Sequence, residues 1–211
     1  MSRVNDRTPE RISSIERRES ILAAASRVFG ERGYVGATTD QIAQAAGISQ
    51  PYVVRMFGGK EALFLEVLER ALEKLVVAFR LAIAQSADAG ETGAQIDARI
   101  GTAYVDLIED RGILLSLMQG FIMGHDPVIG KAARGGFLTI YRILRDEAHF
   151  EPDRIREILA AGMLFNTLIA LRLPDEYESD GAARELIDCT FQTKLAMVLD
   201  VAGSRAVRNN A

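Results

Sequence analysis

Gln50, Tyr52 and Arg55 lie within one short stretch, QPYVVRMF at residues 50–57, and their types suit the reading of duplex DNA. Gln and Arg make paired hydrogen bonds to adenine and guanine edges in the major groove, and Tyr reaches a phosphate or a thymine methyl. On a helix, Val53 and Phe57 share one face and can pack on Ile42. That turns Pro51, Tyr52, Val54 and Arg55 outward, with Gln50 at the leading end. Lys60 follows Gly58 and Gly59 at a helix start, where free backbone N–H groups help hold a phosphate, and Thr39 has the same position one helix earlier. Any one of these residues is compatible with ordinary solvated surface. Their joint placement points to DNA.

No comparable constellation for catalysis is present. His125 and His149 have no neighbouring Cys, Ser turn or paired carboxylates that would build a triad or a metal site, so no catalytic residue, metal or cofactor is expected. The single cysteine, Cys189, sits among apolar neighbours and reads as inert packing, and it cannot close an internal disulfide.

The elements that must position the DNA-reading residues follow from local signals. Apolar residues recur at helical spacing almost throughout, and no alternating β-branched run suggests a strand, so the fold class is all-α. A first helix is expected over about Arg17 to Arg32, stopped by Gly33. Thr38 with Gln41 makes a capping box for a short helix to about Ala46. Gly47 suits a left-handed turn, and Ser49 can cap a third helix from Gln50 to Phe57 with Pro51 in its first turn. Two short helices joined by a Gly turn make a helix-turn-helix. A long helix is expected from Lys60 to about Gln85, then a loop over Ser86 to Gly93. Further helices are expected over Ala94 to Glu109, Arg111 to Met123, Pro127 to about Phe150, Pro152 to Leu173 and Ala182 to Ala202. The expected organisation is a mobile arm at 1–14, a helix-turn-helix domain at 15–60, a helical sensing and dimerisation domain at 61–203 and a mobile tail at 204–211.

The chain has 211 residues, 48% of them apolar and 26% charged, which excludes disorder as the main state. Its net charge of -4 is unevenly spread. Residues 1–60 hold nine Lys and Arg against six Asp and Glu, whereas residues 61–211 hold sixteen against twenty-three. A basic first quarter on an acidic body suits a protein that meets a polyanion only through its N-terminal part. The acidic body argues against a sequence-tolerant architectural DNA protein. No secretory signal and no apolar run of membrane-spanning length is apparent, so a cytoplasmic, membrane-free protein is expected.

Residues 18–64 resemble the DNA-binding domain of the tetracycline-repressor (TetR) family of bacterial transcription regulators. The matching segments are ILAAASRVFGERGYVGATTDQIAQAAGIS and FGGKEALF. The resemblance implies that the second helix of the motif reads the major groove through Gln50, Pro51, Tyr52 and Arg55, with Thr39 and Lys60 on phosphates. The sequence departs from the family at Val54, where a phosphate-binding Tyr is usual, and at Met56, where His or Tyr is common. That leaves the missing contact to Tyr52 or Arg55.

The rest of the chain holds more apolar helix than a DNA-reading head requires. The resemblance implies a homodimer built on the last two helices and a sensing cavity for a small-molecule effector. Ile155, Leu159, Gly162 and Ile169, with Ile187, Phe191, Leu195 and Val198, offer dimer seams at suitable spacing, although intrachain core would give the same pattern. Phe79, Tyr104, Ile108, Met118, Phe121, Ile122, Phe137, Tyr141 and Met163 are candidate cavity residues, with Gln119, His125 and Asn166 as polar handles. No charged cluster stands out among them, so the expected effector is mainly apolar. The function expected is a repressor released from a palindromic operator when effector binding swings the fourth helices and separates the heads. A regulator of the same fold that activates transcription, or that needs no effector, is the alternative.

Overall fold

The computed structural model describes residues 13–107, 111–191 and 195–199, apart from the side chain of Arg111; helices and turns, without a strand, make up the described residues. The expected arm, the expected tail and candidate Ile108 lie outside them. Among the described residues no helix is long and apolar enough to cross a membrane.

α1 (Ser14–Gly36) starts three residues before the expected position because Ser13 and Glu16 form a complete capping box. That capping bond also holds the Glu16 carboxyl below its usual range. Gly33 interrupts α1 as expected, with φ 70° and ψ 168°, a conformation that a side chain would strain. α2 (Thr39–Ala45) opens on the expected Thr38–Gln41 capping box. α3 (Gln50–Phe57) has the expected bounds, but Ser49 makes no side-chain capping bond, and Pro51 in the first turn reduces the number of N–H groups that need one. α4 (Lys60–Asp88) runs three residues beyond Gln85.

α5 (Ala94–Asp106) and α6 (Arg111–Ile122) follow, and a short 3-10 turn over Met123–His125 continues α6. α7 (Ile129–Arg142) starts later than Pro127 because Asp126 Oδ1 accepts from the N–H groups of Val128 and Ile129, at 2.9 and 2.8 Å. It then widens into a π turn over Ile143–Glu147 and stops there, short of Phe150, with His149 beyond it at φ 55°. α8 (Pro152–Ala170) stops short of Leu173, where Arg172 turns left-handed at φ 58°. α9 (Gly181–Phe191) is the last named helix, and Leu195–Leu199 are again helical.

Three apolar clusters hold these helices together. The first gathers Ile21, Phe29, Ile42, Val53, Phe57 and Phe64, all nearly or wholly buried, from α1–α4. It runs on to Val67 of α4 and Ile129 of α7. The second lies among α4, α5, α6, α7 and the start of α8, and the third joins α6, α8 and α9 through Leu114, Phe165, Ile169, Ile187 and Phe191. Burial on this scale contributes about 1.5–3 kcal/mol for each large apolar side chain.

The first cluster and the rest meet where α1 crosses α6. A Cβ on Gly112 would lie 2.6 Å from Ser26 Oγ and 3.0 Å from the Ser26 carbonyl carbon, so only glycine permits this approach. Ser116 Oγ donates to the Ser26 carbonyl at 3.5 Å. One turn further on, Gln119 Oε1 accepts from the N–H of Tyr34 at 3.3 Å. Arg18 with Glu66 and Arg70 with Glu19 form ion pairs that join α1 to α4.

Candidate nucleic-acid interface and cavity

The outward face of α3 forms as expected. Val53 and Phe57 are buried in the first cluster, whereas Pro51, Val54 and Arg55 are exposed and Gln50 and Tyr52 are half-buried. The Arg55 guanidinium lies over the Tyr52 ring, 4.9 Å from its centroid, so the two side chains form one cationic, aromatic edge. No intramolecular bond holds the Arg55 donors among the described residues. They are free to meet a base or a phosphate.

Gln50 and Thr39 are brought together, because Gln50 Nε2 donates to Thr39 Oγ1 at 3.1 Å. Gln50 keeps its carbonyl oxygen and one amide hydrogen for a partner, and the Thr39 hydroxyl keeps its own hydrogen. The bond fixes the leading end of α3 against α2.

Lys60 is placed otherwise than the sequence suggested. Its Nζ donates to the carbonyls of Tyr34, Val35 and Ala37 at 3.0, 3.4 and 3.2 Å, and it lies 4.7 Å from the centroid of the Tyr34 ring. An ammonium has three hydrogens and all three are engaged. Lys60 is therefore a clamp on the α1–α2 turn, and phosphate binding would require breaking that clamp. The orphan carbonyls after Gly33 supply the physical reason, since a chain leaving a helix needs donors for them.

The body holds a partly open cavity of about 630 Å³ among α4, α5, α6, α7, α8 and α9. Of the expected residues, Phe79, Tyr104, Phe121, Phe137, Met163 and Asn166 line it. Met118, Gln119, Ile122, His125 and Tyr141 do not. Gln119 faces α1 as described, Ile122 is 63% exposed, and Tyr141 packs beside the Arg145 guanidinium. Leu72 and Leu75 were missed, although with Phe79 they form a helical i, i+3, i+7 stripe on α4 that gives a sequence signal. Asp97 was missed as well. Its carboxylate lies beside the cavity and pairs with Arg154, which also pairs with Glu157.

The seam residues of α8 and α9 also face inward. Ile155, Ile169, Ile187, Phe191 and Val198 are each at most 3% exposed inside this chain, Leu195 packs against the third cluster, and Leu159 and Gly162 line the cavity. Their spacing identified an apolar face correctly but not what covers it. The exposed apolar residues on these helices are Leu164, Leu171 and Leu186.

Tyr104 and Asn166 are the polar core of the cavity wall. The Tyr104 hydroxyl donates to Asn166 Oδ1 at 2.9 Å, and Asn166 is 2% exposed. Burial pushes the Tyr104 phenol up to about 12, so it stays protonated at neutral pH.

Residues 21–67 match the bacterial regulatory proteins of the tetR family. Over 83 residues the chain is 41% identical to the transcriptional activator FasR of Mycolicibacterium smegmatis, covering 39% of this chain and 38% of that one. Over 70 residues it is 37% identical to the transcriptional regulator BetI of Brucella abortus, covering 33% and 35%. The matches thus span less than two fifths of these curated relatives. Among solved structures, the fold resembles the multidrug binding protein EbrR complexed with imidazole, at 20% identity, with 90% and 97% of the two chains covered and a TM-score of 0.52. It also resembles a TetR-family regulator from Streptomyces coelicolor A3, at 23% identity, with 92% and 91% covered and a TM-score of 0.51.

Proposed function

We propose that this chain, which belongs to the TetR family of bacterial regulatory proteins, is a sequence-specific DNA-binding transcriptional regulator that acts as a homodimer. The observation that carries the reading is the outward face of α3, where Gln50, Tyr52 and Arg55 stand on a buried Val53–Phe57 base. Direct readout needs side chains that are both fixed and unpaired. The Gln50–Thr39 bond and the Arg55–Tyr52 stack supply the fixing, and the remaining donors and acceptors supply the contact.

Dimerisation follows from the geometry of duplex DNA, since two copies place two recognition helices in successive major grooves. Leu164 of α8, Leu171 just beyond its end and Leu186 of α9 offer exposed apolar surface for it, Leu164 and Leu186 at the border of the cavity. The cavity supports control by a small, mainly apolar effector, as a repressor released when the effector binds. α6 is the element through which such control would travel. Leu117 and Phe121 face the cavity, while Gly112, Ser116 and Gln119 of the same helix grip α1. An effector moves this equilibrium only by preferring the conformation that does not bind DNA.

Selection of duplexes from a random pool by the purified full-length chain tests the proposal. Enrichment of a palindrome with half-sites one helical turn apart is the expected result. Failure to enrich any sequence at low salt would overturn it.

A further inference from the structure

Asn166 is an expensive residue to keep where it stands. It lies in the last third of α8 at 2% exposure, lining an otherwise mainly apolar cavity, with Phe79, Phe165 and Met163 among the residues around that wall. Its carbonyl oxygen is engaged by Tyr104, but among the described residues nothing accepts from its amide N–H groups. A buried polar hydrogen without a partner is unfavourable, because its bond to water is lost and not replaced. An apolar side chain of the same size would avoid that cost.

The donor character of this pole does not depend on which way the amide is turned. Tyr104 and Asn166 together carry three polar hydrogens, and the bond between them uses one. With the amide as described, two N–H hydrogens remain; with the amide reversed, one N–H and the phenolic O–H remain. In both cases the wall offers two hydrogens to the cavity.

The charge nearby selects among possible acceptors. Among the described residues no Lys or Arg lines the cavity, and Asp97, paired with Arg154, adds a carboxylate at its edge. A buried anion would lack a compensating charge there and would meet like charge instead. The neutral phenol of Tyr104 offers no counter-charge either.

We infer that Tyr104 and Asn166 form a donor subsite that takes the carbonyl-type oxygen of an uncharged, mainly apolar ligand, such as a ketone, ester, lactone or amide. The inference rests on the reading of the cavity as an effector site. Phe79 and Phe165 flank Tyr104, with ring centroids 6.2 and 5.5 Å away, and supply apolar contact for the carbon skeleton beside the carbonyl. The subsite thus positions the ligand by its one polar group.

Three probes test it on the 211-residue chain, by displacement of the apolar dye N-phenyl-1-naphthylamine. Benzophenone carries a carbonyl, diphenylmethane lacks it, and 4-benzoylbenzoate adds a negative charge. The expected result is that benzophenone binds about tenfold more tightly than diphenylmethane, in keeping with one or two buried hydrogen bonds, and more tightly than 4-benzoylbenzoate. Asn166→Leu and Tyr104→Phe should each shrink the ratio of benzophenone to diphenylmethane affinity, with diphenylmethane still bound. A second variant guards against misfolding, and the retained diphenylmethane binding reports an intact cavity. Equal binding of benzophenone and diphenylmethane, or a preference that survives Asn166→Leu, would overturn the donor subsite and leave the effector cavity standing. Binding of 4-benzoylbenzoate as tight as that of benzophenone would overturn the preference for an uncharged ligand. If neither the dye nor any probe enters, both the subsite and the effector reading fall.

Discussion

The head around α1–α3 and the cavity of the body treat their polar groups in opposite ways. In the head, several groups that look available for DNA are already engaged within the chain, Lys60 on three carbonyls and Thr39 with Gln50, and the donors left over, on Arg55, are exposed to solvent. In the cavity, the Asn166 amide keeps its hydrogens unused although it is almost fully buried. A head packed around fully buried Phe29, Phe64 and Ile42 presents a rigid reading edge. A body built around about 630 Å³ of open space retains the capacity to respond. In the proposed reading, rigidity serves recognition and unsatisfied polarity serves sensing.

The contrast is most exposed to test where the two regions meet. Gly112→Val would drive a side chain into the Ser26 backbone and separate α6 from α1. We expect a loss of about 2–3 kcal/mol by overpacking, seen as a drop in Tm of roughly 4–12 °C for a chain of this size. An unchanged melting curve would mean that the head is not locked on the body at this crossing.

Lys60→Met sharpens the comparison within the head. Removing the clamp should cost about 1–2 kcal/mol by leaving charge-assisted bonds unmade, measured by chemical denaturation. The dependence of DNA affinity on salt should keep its slope. A slope reduced by about one unit with stability unchanged would instead make Lys60 a phosphate contact.

A smaller effect separates the two caps of the helix-turn-helix. Thr38→Ala should destabilise by about 1 kcal/mol, and Ser49→Ala, whose hydroxyl makes no capping bond, by only a few tenths. Equal losses at both positions would show that Ser49 caps α3 in solution.

The cavity is tested through its pH dependence. The folded-state pKa of Tyr104 is raised above that of an unfolded tyrosine, so its contribution is fully present below the unfolded value and is lost as pH rises towards the folded one. Stability should therefore fall more steeply between about pH 10 and 12 in the parent than in Tyr104→Phe. Parallel pH profiles would mean that the phenol is not buried.

How much of this was legible in the sequence follows the same division. The bounds of α3, the Thr38–Gln41 cap and the break at Gly33 were read correctly, because each depends on residues within a few positions of one another. The intrachain bonds of Lys60 were not, since its three acceptors lie more than twenty residues away and are backbone atoms that carry no sequence signature. Gln119 was expected in the cavity and instead reaches Tyr34, as helical spacing cannot say which of two neighbours a polar side chain will meet. Ile155, Ile187 and Phe191 marked an apolar face, but the partner of that face is the chain's own core. Tyr104 and Asn166 were both singled out as cavity residues, whereas their mutual hydrogen bond, 62 positions apart, required the fold. Asp97 was overlooked because a charged residue is not expected beside an apolar cavity until its pairing with Arg154 is seen.

The most direct test of the account is the equilibrium affinity of the full chain for its selected duplex and for a scrambled duplex, at one fixed salt concentration, with and without Arg55→Ala. Base-edge readout by α3 predicts a loss of about 1–3 kcal/mol on the selected duplex and little change on the scrambled one, so that the ratio of the two affinities collapses. An equal loss on both duplexes, or no loss on either, would contradict it.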